Sequence, residues 1–183
     1  MRAYCDTGAF IDYLSGRGNP AALLRTTDRR GRTPANIAAD AERLFEKVGR
    51  AHSGAVSCLT YYEIEEASYR QLKQSVKGVS HADVLLVPTA RSLTVQVQTM
   101  VNLFRISVLD LTAATFRLQL QQHALQTRGI RAADALHAAS AIEFDADLLV
   151  STDDALLKLD GILTNRRGAS ILCRDTDSAL HLL

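Results

Sequence analysis

The segment Gly129–Lys158, GIRAADALHAASAIEFDADLLVSTDDALLK, constrains the fold more than any other part of this chain. Ala132, Ala133, Ala135, Leu136, Ala138, Ala139, Ala141 and Ile142 put small apolar side chains on every face of a helix. That composition predicts a helix packed on several sides rather than one with a wet stripe. Asp147–Ser151 is an apolar run without alternation, as expected of a strand covered on both faces. The unit carries Asp134 in the first helical turn and Asp153 just past the strand's C-terminal end, the edge where open parallel sheets bind ligands. Two readings of this pair stay open. Asp134 complements the helix N-terminus while Asp153 caps the next helix. Or both face a water-poor cleft, where a carboxylate needs a proton, hydrogen bonds or a metal.

The chain of 183 residues fits a single domain, 1–183, able to bury a sizeable core. A net charge of +1 carries no global signature of a nucleic-acid binder, so an anionic partner must be met locally. No apolar run is long enough to span a bilayer, and Met1-Arg2 leads straight into a strand, which predicts a cytoplasmic protein with no membrane partner. Cys5, Cys58 and Cys173 match no zinc spacing and read as core residues of strands.

Strands are expected at Arg2–Asp6, Ala55–Leu59, Ile106–Leu111, Asp147–Ser151 and Ala169–Cys173. A turn at Thr7-Gly8 leads into a helix carrying Phe10, Ile11 and Leu14, with Asp12 exposed. Asn19-Pro20 and Thr33-Pro34 read as helix starts, an N-cap followed by proline at N1. Ile37, Ala41, Leu44, Phe45 and Val48 give the second of these an apolar stripe. Ser80 with Asp83 opens a further helix, and Pro88 separates it from another that carries Leu93, Val97, Met100, Val101 and Phe104. A polar helix from about Thr112 to Thr127 ends at Arg128-Gly129. Strands alternating with helices indicate the α/β class: a three-layer α/β/α sandwich on a central parallel sheet, with helical elaborations at about 15–52 and 78–104 forming an enlarged lobe.

Asp6, Glu63, Asp134 and Asp153 come from separate elements and are all drawn to one edge of the sheet. For Glu63 a structural alternative is a capping box with Thr60 as N-cap. Converging within about 5 Å, each ionised pair repels by roughly 3 kcal/mol at an effective dielectric near 20. Such a group either protonates or collects a divalent cation, and hard oxygen ligands select Mg²⁺ or Mn²⁺ over zinc. His137 reads as a hydrogen-bonded core histidine, and Asp154 as the cap of the next helix. Arg25, Arg29, Arg30 and Arg32 form a local basic loop, either solvated or in contact with a phosphate backbone.

With these motifs in order, the sequence resembles the PIN domain and, within it, the VapC-type toxin ribonucleases. Tyr4-Cys5-Asp6-Thr7 looks like the family's first strand and acid, and Ser57–Glu63 is similar to its S-x-x-T-x-x-E signature. Asp134–Ala141 resembles the helix of the third acid, and Ser151-Thr152-Asp153 the closing T-x-D. Gly8 stands where the family often has Asn or Ser, and the interval between Asp6 and Glu63 is longer than in compact members. The resemblance implies Mg²⁺- or Mn²⁺-assisted hydrolysis of an RNA phosphodiester. Asp6 and Asp134 would be the principal ligands, with Glu63 and Asp153 completing the site. Thr7, Thr60 and Ser151 are candidates for orienting the carboxylates or a water. It also implies an antitoxin partner and a homodimer. One rival is a phosphoaspartyl enzyme, disfavoured because haloacid-dehalogenase-like chains need an Asp where Gly8 stands. The other is a catalytically silent PIN domain that binds RNA or protein.

Overall fold

The computed structural model describes residues 1–18, 21–78 and 80–183. Five strands, β1 (Arg2–Cys5), β2 (Ser53–Ser57), β3 (Ser107–Leu109), β4 (Leu148–Val150) and β5 (Leu172–Arg174), form one sheet in the order β3-β2-β1-β4-β5. Every pairing is parallel, with Tyr4 opposite Ala55 on one side and Leu149 on the other. The chain begins at the centre, winds out to β3, then returns past β1 to β4 and β5. The strand order therefore reverses between β1 and β4, where a crevice opens at the strands' C-terminal ends.

Side-chain alternation along the strands feeds two cores. Ala3, Cys5, Leu148 and Val150 pack with α1 (Thr7–Ser15), α2 (Pro34–Ala51), α3 (Leu59–Ser75), α4 (Asp83–Leu103) and α9 (Thr176–Leu182). Tyr4, Leu149 and Cys173 pack on the other face with α5 (Ala113–Gln121), α6 (His123–Thr127), α7 (Ala132–Glu143) and α8 (Asp154–Leu157). Helices thus cover both faces, an arrangement compatible with a three-layer sandwich. The first core centres on interlocked rings: Phe10 and Phe45 lie 5.0 Å apart between centroids, Tyr13 and Phe104 5.5 Å, both edge to face. In α2 the expected stripe is buried, and the Thr33 side chain accepts the Asn36 N–H at 3.3 Å ahead of Pro34.

Several local expectations need correction. The start expected at Asn19-Pro20 lies outside the described residues; a 3-10 turn follows at Ala21–Leu24. No turn separates β1 from α1, because Asp6 itself caps the helix. Pro88 lies inside α4 rather than between two helices. Pro88 and Val84, whose carbonyl loses its partner, are both exposed, so water can reach the freed group while Leu86, Ala90, Leu93 and Val97 keep the buried stripe continuous. The polar helix is broken at Gln122, whose extended backbone lets α6 bring Leu125 into the core. Cys58 follows β2 instead of lying within it.

Candidate active site

Backbone hydrogen bonds carry the sheet one residue beyond its strands and fix where the acids emerge. The Asp6 N–H donates to the Val150 carbonyl at 3.0 Å, and the Ser151 N–H to that of Arg174 at 2.9 Å. Asp6 then caps α1, one carboxylate oxygen accepting the Ala9 N–H at 3.3 Å and the other the Ser151 hydroxyl. The same Ser151 oxygen accepts the Asp153 N–H at 3.0 Å. Asp153 caps α8 through the Ala155 N–H at 2.6 Å, so its capping role and its place on the cleft coexist. Asp154 is not the cap; it pairs with Arg30.

Asp6, Glu63, Asp134 and Asp153 line a single cleft of about 440 Å³ with Thr7 and His137. Burial pushes Asp6 up to about 6, against the opposing pull of His137, Ser151 and the α1 amides. Asp134 is also raised, first by burial and then by the Asp153 charge, and it accepts no hydrogen bond among the described residues. Glu63 differs. Burial pushes it up, but the hydrogen bond and charge of His137 together with the Thr7 hydroxyl outweigh that and hold it below the usual range.

Glu63 owes this to a local rearrangement. Helix α3 begins at Leu59, whose N–H the Ser57 hydroxyl accepts at 3.2 Å, so Thr60 is not an N-cap and no capping box forms. Thr60 is fully buried, 3.0 Å from the Thr7 hydroxyl, which donates to Glu63. His137 is only 2% exposed, with Nε2 2.8 Å from the same Glu63 oxygen and Nδ1 2.8 Å from the Tyr4 hydroxyl. An ionised carboxylate only accepts, so Nε2 donates to Glu63, while burial keeps the Tyr4 phenol protonated beside Nδ1. The expectation of a hydrogen-bonded core histidine holds, yet this histidine also belongs to the cleft. The signal for that was its place three residues after Asp134, on the same helical face.

Gly8 and Thr152 form a pair that sequence reading missed. A Cβ on Gly8 would lie 2.1 Å from the Thr152 hydroxyl and 3.0 Å from its Cβ, so Thr152 occupies the space a side chain at position 8 would need. Both line the cleft.

The basic loop lies against the protein rather than in solvent. Arg25 and Arg29 each reach Asp12 at 2.7 Å, Arg29 and Arg30 clasp Asp175, and Arg32 pairs with Asp40 and Asp177. Asp12, expected to be exposed, is fully buried because these partners and the Thr176 hydroxyl, at 3.1 Å, neutralise it. An RNA backbone at this loop would have to compete with those pairs.

Among the described residues, no three or more His, Cys, Asp or Glu side chains stand in an arrangement that would hold a metal ion. The donor set still suits a hard divalent cation in its chemistry: carboxylate oxygens, no thiolate, and in Asp134 a half-buried acid that no hydrogen bond satisfies. No protein-family model matches the chain, and comparison with curated proteins and with solved structures gives no significant match.

Proposed function

We propose that this chain is a Mg²⁺- or Mn²⁺-dependent endoribonuclease, with a PIN-like form of the α/β/α sandwich in which α2 and α4 supply an enlarged helical lobe. One observation carries the reading: four acids from separate elements line one cleft at the sheet's C-terminal edge, and no arginine or lysine forms an ion pair with them among the described residues. Asp6, Glu63, Asp134 and Asp153 would hold the cation. The ion supplies Lewis acidity, lowering the pKa of water and offsetting charge on the phosphoryl oxygens. The chain's own residues do the positioning. His137 and Thr7 keep Glu63 ionised and oriented, and Ser151 fixes Asp6 relative to Asp153.

The resemblance to VapC-type toxins extends the proposal to a cytoplasmic toxin, a homodimer, whose antitoxin blocks the acidic cleft with a basic side chain. Light scattering after size exclusion tests the dimer; a monomer at micromolar concentration overturns it. The activity is tested on varied single-stranded RNAs with Mg²⁺ or Mn²⁺. Cleavage is expected for the wild type, is lost in EDTA, and is lost in Asp134→Asn without a change in circular dichroism. A second reading, a silent domain that binds RNA or protein, is favoured by the lack of a ready metal-holding group among the described residues and by Glu63's engagement with His137. It prevails if the wild type cleaves none of these RNAs with either ion.

A further inference from the structure

The cleft does not end at its acids. Along α3 it continues into a second depression of about 280 Å³, and the two share Ile11, Ala67 and Arg70 as a common wall. The far depression is lined also by Gln71 and Gln74, and by no carboxylate. Moving away from Glu63, acids give way to a guanidinium and amides.

Tyr62 stands at the near lip. It adjoins Glu63 in the chain, is 67% exposed, and its hydroxyl makes no hydrogen bond among the described residues. Its neighbour Tyr61 packs on the core and donates to Gln98 at 2.9 Å, so the fold uses one tyrosine of the pair and leaves the other free. Arg70, two turns along the same helix, is 68% exposed, and its pairing with Glu66 is 3.5 Å long, a contact that solvent screens and a phosphate can replace.

We infer that this groove seats a single RNA strand, one base stacked on Tyr62 beside the acids and a neighbouring phosphate met by Arg70. The inference rests on the ribonuclease reading above. An aromatic face recognises any unpaired base, whereas a duplex keeps its base faces covered, so the groove selects single strands without selecting sequence. It also answers an electrostatic difficulty. A cleft of carboxylates repels a polyanion, and the compensating contacts must lie to either side of the reacting bond. Arg70 provides one on the α3 side, and exposed Arg131, whose charge reaches Asp134, lies on the α7 side.

The test uses fluorescence anisotropy with a short fluorescein-labelled single-stranded RNA, on the full chain carrying Asp134→Asn in EDTA so that no cleavage occurs. Tyr62→Ala should weaken binding roughly tenfold or more, while Tyr62→Phe stays near the parent. The same RNA annealed to its complement should show no dependence on residue 62. Arg70→Gln should weaken binding and make the salt slope shallower by about 0.7. Equal affinity of Tyr62→Ala and its parent for the single strand overturns the groove, including when the wild type cleaves RNA and the ribonuclease reading stands. Tyr62-dependent binding by a chain that cleaves nothing supports the groove and overturns the enzyme. No binding of the single strand overturns the groove, and a wild type that also cleaves nothing with either ion overturns both.

Discussion

Asp12 and Asp6 lie six residues apart on one helix and its cap, yet the protein treats them in opposite ways. Asp12 is sealed from water and matched by Arg25, Arg29 and the Thr176 hydroxyl, while nearby Asp175 takes Arg29 and Arg30. Neither Asp6 nor Asp134 receives an ion-pair partner of that kind: Asp6 has the Ser151 hydroxyl, amides and the field of His137, and Asp134 only the fields of His137 and Arg131. The chain has arginines to spare for buried acids, and among the described residues none of them forms an ion pair with the four acids of the cleft. The contrast separates acids that hold the fold together from acids kept available.

The sharpest way to break this contrast is Asp12→Ala. It strands the Arg25 guanidinium in a poorly solvated position, leaves Arg29 with Asp175 alone, and should cost about 3–5 kcal/mol in urea unfolding. A loss below about 1 kcal/mol would show that the arginine cluster is ornamental and the comparison empty. The opposite sign is expected at Asp6. Burial raises its carboxyl to about 6 in the folded chain, against 3.8 for an ordinary aspartate. The folded state therefore binds that proton more tightly than the unfolded chain does, and stability falls as pH climbs from about 4 through 6. Asp6→Asn should remove this slope, stabilising the protein above pH 6 by up to about 3 kcal/mol and hardly at all near pH 4, as thermal melts at the two extremes would record. A smaller effect tests how tightly the cleft is packed. Gly8→Ser must displace the β-branched Thr152 and should cost about 1–3 kcal/mol in chemical denaturation. An unchanged midpoint would mean that Thr152 swings away freely.

The comparison also marks how far sequence alone reaches. Helix α7, the unalternating run of β4 and the stripe of α2 were legible because burial on one face or on all faces imposes its own period. Asp6, Glu63 and Asp153 were legible because each follows a strand, and parallel sheets deliver such residues to one rim; Asp134 was legible from the first turn of the small-residue helix. Pairing was not. Nothing near Asp12 announces arginines that arrive from a loop and a hydroxyl that comes from the far end of the chain. Thr60 fits a capping pattern, but Ser57 supplies the hydrogen bond first and frees Thr60 to back Thr7. Pro88 reads as a breaker only while one assumes that its face is dry. His137 shared a face with Asp134 from the outset, but its bond to Glu63 depends on how α3 and α7 meet across the sheet.

Ser151 has a mechanical consequence. One oxygen atom donates to Asp6 and accepts from the backbone of Asp153, so it acts as a gauge block between two jaws. Anything that grips either acid tugs the other, and the pull runs on to Asp154 and the Arg30 strap that fastens it to Asp175. Occupancy of the cleft would thus be felt at the edge of the sheet, with a serine hydroxyl as the coupling pin.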